Sequence, residues 1–239
     1  MAKRRLGILG GTFDPPHLGH LLLAETIRED FDLEEVRFIP SNEPPHKSRA
    51  DLSAATHRYA MVVAATLHNP AFSPSSLEVN RPGKSYSVDT VRALREEIGP
   101  DTEICFVTGL DAFLEILTWK DYEELLDSCH FIVVSRPSAS FERVMDVLPE
   151  RFHERIVDVR RGRAPDSPAQ IVVPEGAEAA SRLRIYLSDA VNLDVSGTEI
   201  RSRARGGLSI RYRVTPEVER YIKAQDLYGQ KVAAAGGTS

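Results

Sequence analysis

The segment GILGGTFDPPHLGH, residues 7–20, restricts the fold of this chain more than any other stretch. An apolar run ending in Gly10 and Gly11 reads as a buried strand, followed by a turn where the glycines let backbone come close to a ligand. Pro15 and Pro16 suit an extended approach and the first turn of a helix. His17 and His20 lie three apart and therefore fall on one face of that turn. A helix N-terminus offers unpaired N–H groups and about half a positive charge, so the assembly is an anion site with two imidazoles added. Singly the parts are ordinary: a Gly-Gly turn is mostly structural, and a lone histidine at a helix start is more often a surface or cap residue than a ligand. The pair His17 and His20 also has metal-ligand spacing, but no cysteine cluster accompanies it and Asp14 is the one carboxylate close in sequence. No protein metal site is expected.

The rest of the chain alternates strand and helix signals. RLGILG (5–10), EVRFIP (35–40), EICFVTG (103–109) and HFIVVS (130–135) are short runs rich in Ile, Val and Phe, whereas LGHLLLAETIRED and SAATHRYAMVVAATLHN carry apolar residues at helical spacing. This order predicts an α/β fold, a Rossmann-like doubly wound parallel sheet, with ligands in the crevice beyond the carboxyl ends of the strands. Two later helices start with readable caps, Ser196 to Glu199 and Thr215 followed by Pro216, and form a small C-terminal helical part. Residues 1–229 are expected to make one domain, with a Pro-, Gly- and Ala-rich loop or insertion at about 161–182. The tail 230–239 reads as disordered.

Composition bounds the partners. With 239 residues, 42% hydrophobic and 27% charged, the chain supports one sizeable core. Its formal net charge of −5 argues against a dedicated nucleic-acid binder, so a bound anion has to be met by local positive groups. Cys105 and Cys129 form no C-x-x-C pair, which points to neither a disulfide framework nor a thiolate zinc cage. AKRR at the start has the look of a signal-peptide n-region, but the apolar stretch after it is broken by Gly10, Gly11 and Asp14, and no later run approaches the ~20 apolar residues of a membrane span. A cytoplasmic protein with no membrane partner is expected. Two common phosphate motifs are absent. GKS at 83–85 has Glu78 where a P-loop needs glycine, and the spacing of Gly7, Gly10 and Gly11 is not the dehydrogenase fingerprint.

GGTFDPPHLGH resembles the signature of nucleotidyltransferases with a paired H-x-G-H. PPHK (44–47), SYSVDTV (85–91), GLDAFLEILTWKDYEELL (109–126), SRP (135–137) and VSGTEIR (195–201) further resemble bacterial nicotinate-mononucleotide adenylyltransferases, from about Leu6 to Tyr228. The first motif specifies only the superfamily; the GLD segment with Trp119, together with the Ser-x-Thr-x-x-Arg segment, narrows it. That resemblance implies transfer of the adenylyl group of ATP to nicotinate mononucleotide, giving deamido-NAD and pyrophosphate, with Mg²⁺ carried by the ATP phosphates. It implies that His17, His20 and Arg201 are catalytic. Gly10, Gly11, Thr12, Phe13, Gly109, Asp111, Arg136, Ser196 and Thr198 would bind ATP; Lys47, Ser87, Glu115 and Trp119 would bind the mononucleotide. Trp119 would stack on the pyridine ring, with backbone N–H groups around Ser87 and near Glu115 meeting its carboxylate. Read without the resemblance, Asp111 caps a helix, Lys47 is solvated, Trp119 is in the core or half buried, and RSRAR (201–205) is a solvated basic face, a reading that the resemblance reverses for Arg201 and leaves for Arg203 and Arg205. The family usually has two serines before Thr198, where this chain has Gly197. A phosphopantetheine adenylyltransferase or cytidylyltransferase shares the first motif, and a nucleotide-binding regulator without turnover is the alternative from another class.

Overall fold

The computed structural model describes residues 4–44, 52–135, 142–160, 183–189 and 193–229. Lys47, Arg136, the 161–182 segment and the 230–239 tail lie outside the described residues. Among the described residues seven strands form one sheet: β1 (Arg4–Gly11), β2 (Glu35–Pro40), β3 (Phe72–Pro74), β4 (Thr102–Gly109), β5 (His130–Val134), β6 (Ile156–Asp158) and β7 (Ile185–Ser188). Their order is β3-β2-β1-β4-β5-β7-β6, and every neighbouring pair is parallel. The order runs outward in opposite directions from β1 and β4, so the switch point lies between these two strands. Leu9 sits opposite Val107 there, which brings Gly11 and Gly109 to the carboxyl ends of adjacent strands. A doubly wound sheet opens its ligand crevice at this place.

Both faces of the sheet are covered, which is why its central strands read as continuous apolar runs. Successive residues alternate between two cores. Leu6, Ile8, Phe106, Phe131 and Val133 face one side, and Leu9, Val107, Ile132 and Val134 the other. The first side receives α3 (Ser87–Ile98), α5 (Tyr122–Leu126) and α6 (Glu142–Val147) through Val91, Leu94, Leu125, Leu126 and Val144. The second receives α1 (Leu18–Asp30) and α2 (Ala55–Thr66) through Ala24, Ile27 and Val62. Each such fully buried Leu, Ile, Val or Phe contributes roughly 1.5–3 kcal/mol. A third cluster joins Met61 of α2 to Ile200 of α7 (Gly197–Arg205) and to Val218 and Ile222 of α8 (Pro216–Ala224), so the C-terminal helices dock on α2. No helix of the described residues is long and apolar enough to cross a membrane.

Three details differ from the sequence expectation. Pro15 and Pro16 precede the helix: His17 is its N-cap, in an extended conformation, and Leu18 its first residue. The helical pattern at 53–69 is realised only over Ala55–Thr66. β3, β6 and β7, of three, three and four residues, are too short to have produced a periodic signal. The two predicted caps form: Ser196 Oγ accepts from Glu199 N–H at 3.2 Å and Thr215 Oγ from Val218 N–H at 3.3 Å, with Pro216 opening α8.

Candidate active site

The strand–turn–helix of residues 7–20 builds one wall of the crevice. At Gly10 an added Cβ would meet nothing within 4 Å, so the space over it is open; at Gly11 the Cβ would lie 3.0 Å from the Phe13 ring. Phe13 adopts a left-handed φ of 50°, costly for a side chain of its size, and in doing so buries its ring at 2% exposure against His20, edge to face at 5.0 Å. The backbone N–H of His17 donates to His20 Nδ1 at 3.2 Å, and the two imidazoles stack with centroids 3.6 Å apart. With Nδ1 accepting, a neutral His20 carries its proton on Nε2, at the far side of the ring. Burial pushes the pKa of His17 down to about 4, so it is neutral near pH 7, and its Nδ1 is buried without a hydrogen-bond partner. An arriving phosphate would favour the protonated ring.

The C-terminal helical part supplies the facing wall. Arg201 Nη1 donates to the Asp14 carbonyl at 2.6 Å and Nη2 to Thr198 Oγ1 at 3.2 Å, which plants the first turn of α7 on the loop between β1 and α1. Gly197 makes the close approach feasible, because a Cβ there would lie 2.9 Å from the Asp14 carbonyl oxygen. The Asp14 carboxylate is 4% exposed and accepts from Ser53 N–H at 3.0 Å and from the Tyr228 hydroxyl. Behind it Arg58 of α2, 1% exposed, donates Nε to Ser53 O at 3.0 Å, Nη1 to Thr12 O at 2.9 Å and Nη2 to Asn42 O at 2.9 Å. Burial lowers the guanidinium's pKa, and three carbonyls compensate the buried charge.

The second half of the crevice lies across the switch point. Gly109 caps the short helix α4 (Leu110–Phe113), with open space where its Cβ would be; Asp111 is exposed in the first turn rather than being the cap. A 3₁₀ turn, Ile116–Thr118, leads to the half-buried Trp119, whose ring meets Phe106 edge-on at 6.0 Å. Lys120 Nζ bonds Asp89 at 3.0 and 3.2 Å and lies 5.0 Å above the Tyr86 ring, tying the Trp119 loop to the amino end of α3. No side chain caps that end, where Ser87 is the first helical residue. The backbone N–H of Glu115, by contrast, donates to Ala112 O at 3.2 Å, which commits one of the donors expected for the acceptor.

A family model described as Cytidylyltransferase-like matches residues 8–203. A relative from Moorella thermoacetica named "Probable nicotinate-nucleotide adenylyltransferase" is 41% identical over 224 residues, covering 94% of this chain and 91% of its own length. One of the same name from Geobacter sulfurreducens is 42% identical over 224 residues, with 94% and 98% covered. The chain belongs to the nicotinate-nucleotide adenylyltransferase family. The fold agrees with solved structures of a Plasmodium falciparum nicotinic acid mononucleotide adenylyltransferase. Complexed with NaAD, that protein gives a TM-score of 0.67 at 18% identity, with 94% of this chain and 97% of that one covered. Complexed with APC it gives 0.65 at 17% identity over the same shares.

For a nicotinate-nucleotide adenylyltransferase, the structure brings His17, His20, Gly10, Gly11, Thr12 and Phe13 together with Thr198 and Arg201 through Asp14 and Arg58. Through Lys120 it ties the Trp119 loop to the first turn of α3, where Ser87 stands. Ser196 Oγ serves α7 as cap acceptor and keeps its proton for donation. The sequence reading missed Arg58, Asn42 and Tyr228. An arginine amid the apolar residues of α2 was the available signal, but its three partners are spread from residue 12 to residue 53. Among the described residues no three His, Cys, Asp or Glu side chains converge on a metal position.

Proposed function

We propose that the chain transfers the adenylyl group of ATP to nicotinate mononucleotide, giving deamido-NAD and pyrophosphate in NAD biosynthesis, as one catalytic domain spanning residues 1–229 in the cytoplasm. The observation that carries this reading is the two-walled phosphate site. A helix start bearing two stacked imidazoles is locked through Asp14 to a second helix start bearing Thr198 and Arg201.

The acceptor is a phosphate monoester, an oxyanion at neutral pH, so the reaction needs no nucleophilic side chain. Its oxygen attacks the α-phosphorus of ATP, the bond from that phosphorus to the bridging oxygen of the β-phosphate breaks, and pyrophosphate leaves. Orientation of the two substrates is worth ~7–11 kcal/mol in favourable cases. The open backbone at Gly10 receives the triphosphate; the Nε2–H of His20 and the remaining donors of Arg201 meet charge as it develops. Burial keeps His17 neutral near pH 7, and phosphate beside it shifts the balance toward the charged ring. Mg²⁺ carried by the ATP phosphates would neutralise part of the triphosphate charge, leaving the remainder to His17, His20 and Arg201.

At the acceptor end, the uncapped first turn of α3 favours a carboxylate over a carboxamide, because N–H donors and the helix dipole both select negative charge. ATP, Mg²⁺ and nicotinate mononucleotide incubated with the purified chain should release pyrophosphate, with kcat/KM for nicotinamide mononucleotide lower by ~10⁴. Equal values for the two mononucleotides would make this a dual-specificity enzyme, and nucleotide binding without pyrophosphate would favour the regulator.

A further inference from the structure

The phosphate cradle and the amino end of α3 are far apart in sequence, yet both are reached by one buried polar network. Arg58 holds the carbonyls of Thr12, Asn42 and Ser53. Asn42 stands just past β2, where Ser41 N–H donates to Gly11 O at 2.9 Å. From Asn42 the backbone N–H donates to Ser85 Oγ at 3.0 Å and Nδ2 to Arg81 O at 2.9 Å. Arg81 Nη2 donates to Thr90 Oγ1 at 2.9 Å, and the Thr90 hydroxyl donates to Glu78 Oε1 at 2.6 Å. Ser85 hydrogen bonds the same carboxylate, and Thr90 stands in α3 within a turn of Ser87. Arg58, Glu78 and Thr90 are 1%, 7% and 2% exposed.

Enclosing a guanidinium and a carboxylate costs more than filling the same volume with apolar groups, so stability alone is a poor reason for them. What they provide is geometry: Arg58 fixes the Thr12 carbonyl in the loop after β1, and Glu78 holds Thr90 in the first turn of α3. Burial raises the pKa of Glu78, the mark of a carboxyl kept inside for its bonds and not for solvation. We propose that Arg58 and Glu78 are positioning residues for adenylyl transfer. Arg58 sets the Thr12 carbonyl and with it the phosphate cradle; Glu78, through Thr90 and Ser85, sets the amino end of α3 and with it the acceptor. The inference rests on the function proposed above.

The test is steady-state kinetics on the purified full chain, varying ATP and nicotinate mononucleotide in turn, with thermal melting alongside. Glu78→Gln keeps the size but turns one oxygen into an NH₂ facing hydroxyls. It should raise KM for the mononucleotide about tenfold while KM for ATP stays within about twofold, and Thr90→Val should act in the same direction. Arg58→Lys keeps the charge but cannot span three carbonyls in a plane, so it should raise KM for ATP and lower kcat about tenfold. If Arg58→Lys does not fold, Glu78→Gln still decides. Lower melting temperatures with both KM values unmoved would overturn the proposal and leave the network a structural plug. An inactive parent chain would instead overturn the function on which it rests.

Discussion

The two ends of the crevice are built by different means. At the phosphate end the side chains are locked: two imidazoles stack, Asp14 is gripped by Ser53 and Tyr228, and Arg58 and Arg201 hold backbone carbonyls. At the end proposed for the acceptor Glu115 is exposed, Trp119 packs against Phe106 at the edge of the core, and the Trp119 loop and α5 are tied to α3 by surface pairs, Lys120 with Asp89 and Arg92 with Glu124, while α3 itself is held from within by Glu78. Such pairs are worth ~0–1 kcal/mol each. The contrast teaches a division of labour. Charge that develops during reaction requires donors that do not reorganise, whereas a flat aromatic ring with one carboxylate requires a ring face and a few N–H groups.

Breaking the locked end should therefore damage turnover most. In His20→Ala the Nε2–H is lost together with the acceptor for the His17 N–H and the edge contact to Phe13. Removing a donor that acts mainly in the transition state costs ~10²–10³ in kcat, with a smaller change in KM for ATP. A purified variant turning over at near the parent rate would show that the two ends do not differ as described.

Arg201→Lys probes the lock itself. A lysine cannot reach the Asp14 carbonyl and Thr198 Oγ1 together in one plane, as the guanidinium does. Losing a charged hydrogen bond is worth roughly 1.5–3 kcal/mol, so kcat/KM for ATP should fall about 10–100-fold. The exposed Arg205, on the last turn of the same helix, should tolerate lysine with little change. Equal small effects would show that the Arg201 fork is a structural clamp with no bearing on phosphate.

How much of this was legible in the sequence follows the range of the interactions. β1, β4 and β5 could be read because burial on both faces gives each a run of consecutive buried residues, β2 because Val36, Phe38 and Ile39 are buried in a short β-branched and aromatic run, and the caps at Ser196 and Thr215 because a cap is made within three residues. The H-x-G-H and Ser-x-Thr-x-x-Arg segments were visible for the same local reason. Arg58 and Tyr228 were not: Arg58 acts on Thr12, 46 positions away, and Tyr228 on Asp14, 214 positions away. The helix start was placed too early because proline before a cap and proline in a first turn look alike in sequence.

Trp119→Ala sharpens the comparison from the other end. Stacking of an aromatic side chain on a heterocycle is worth ~1–3 kcal/mol, so KM for nicotinate mononucleotide should rise about tenfold or more while KM for ATP holds. The Phe106 contact lies at the edge of the core, so folding should persist. A rise in both KM values would show that the acceptor end is coupled to the cradle more tightly than its surface ties suggest.

The smallest expected effect lies where the two walls touch. At Gly197 a Cβ would sit 2.9 Å from the Asp14 carbonyl oxygen and 3.4 Å from Arg201 Nη1. The nearer atom is backbone, held by Arg201 at 2.6 Å, so it yields only if α7 or the loop moves by a few tenths of an ångström. Overpacking of this kind costs about 1 kcal/mol or slightly more, a fall of roughly 2–4 °C in Tm for a chain of this length. Gly197→Ser adds a hydroxyl beside the phosphates, but it pries the Arg201 fork from the carbonyl that aims it. The loss should prevail, with kcat/KM for ATP about threefold lower and KM for the mononucleotide unchanged. A variant with unchanged Tm and higher kcat/KM for ATP would show slack between the walls, and the locked end would then be less rigid than its hydrogen bonds make it.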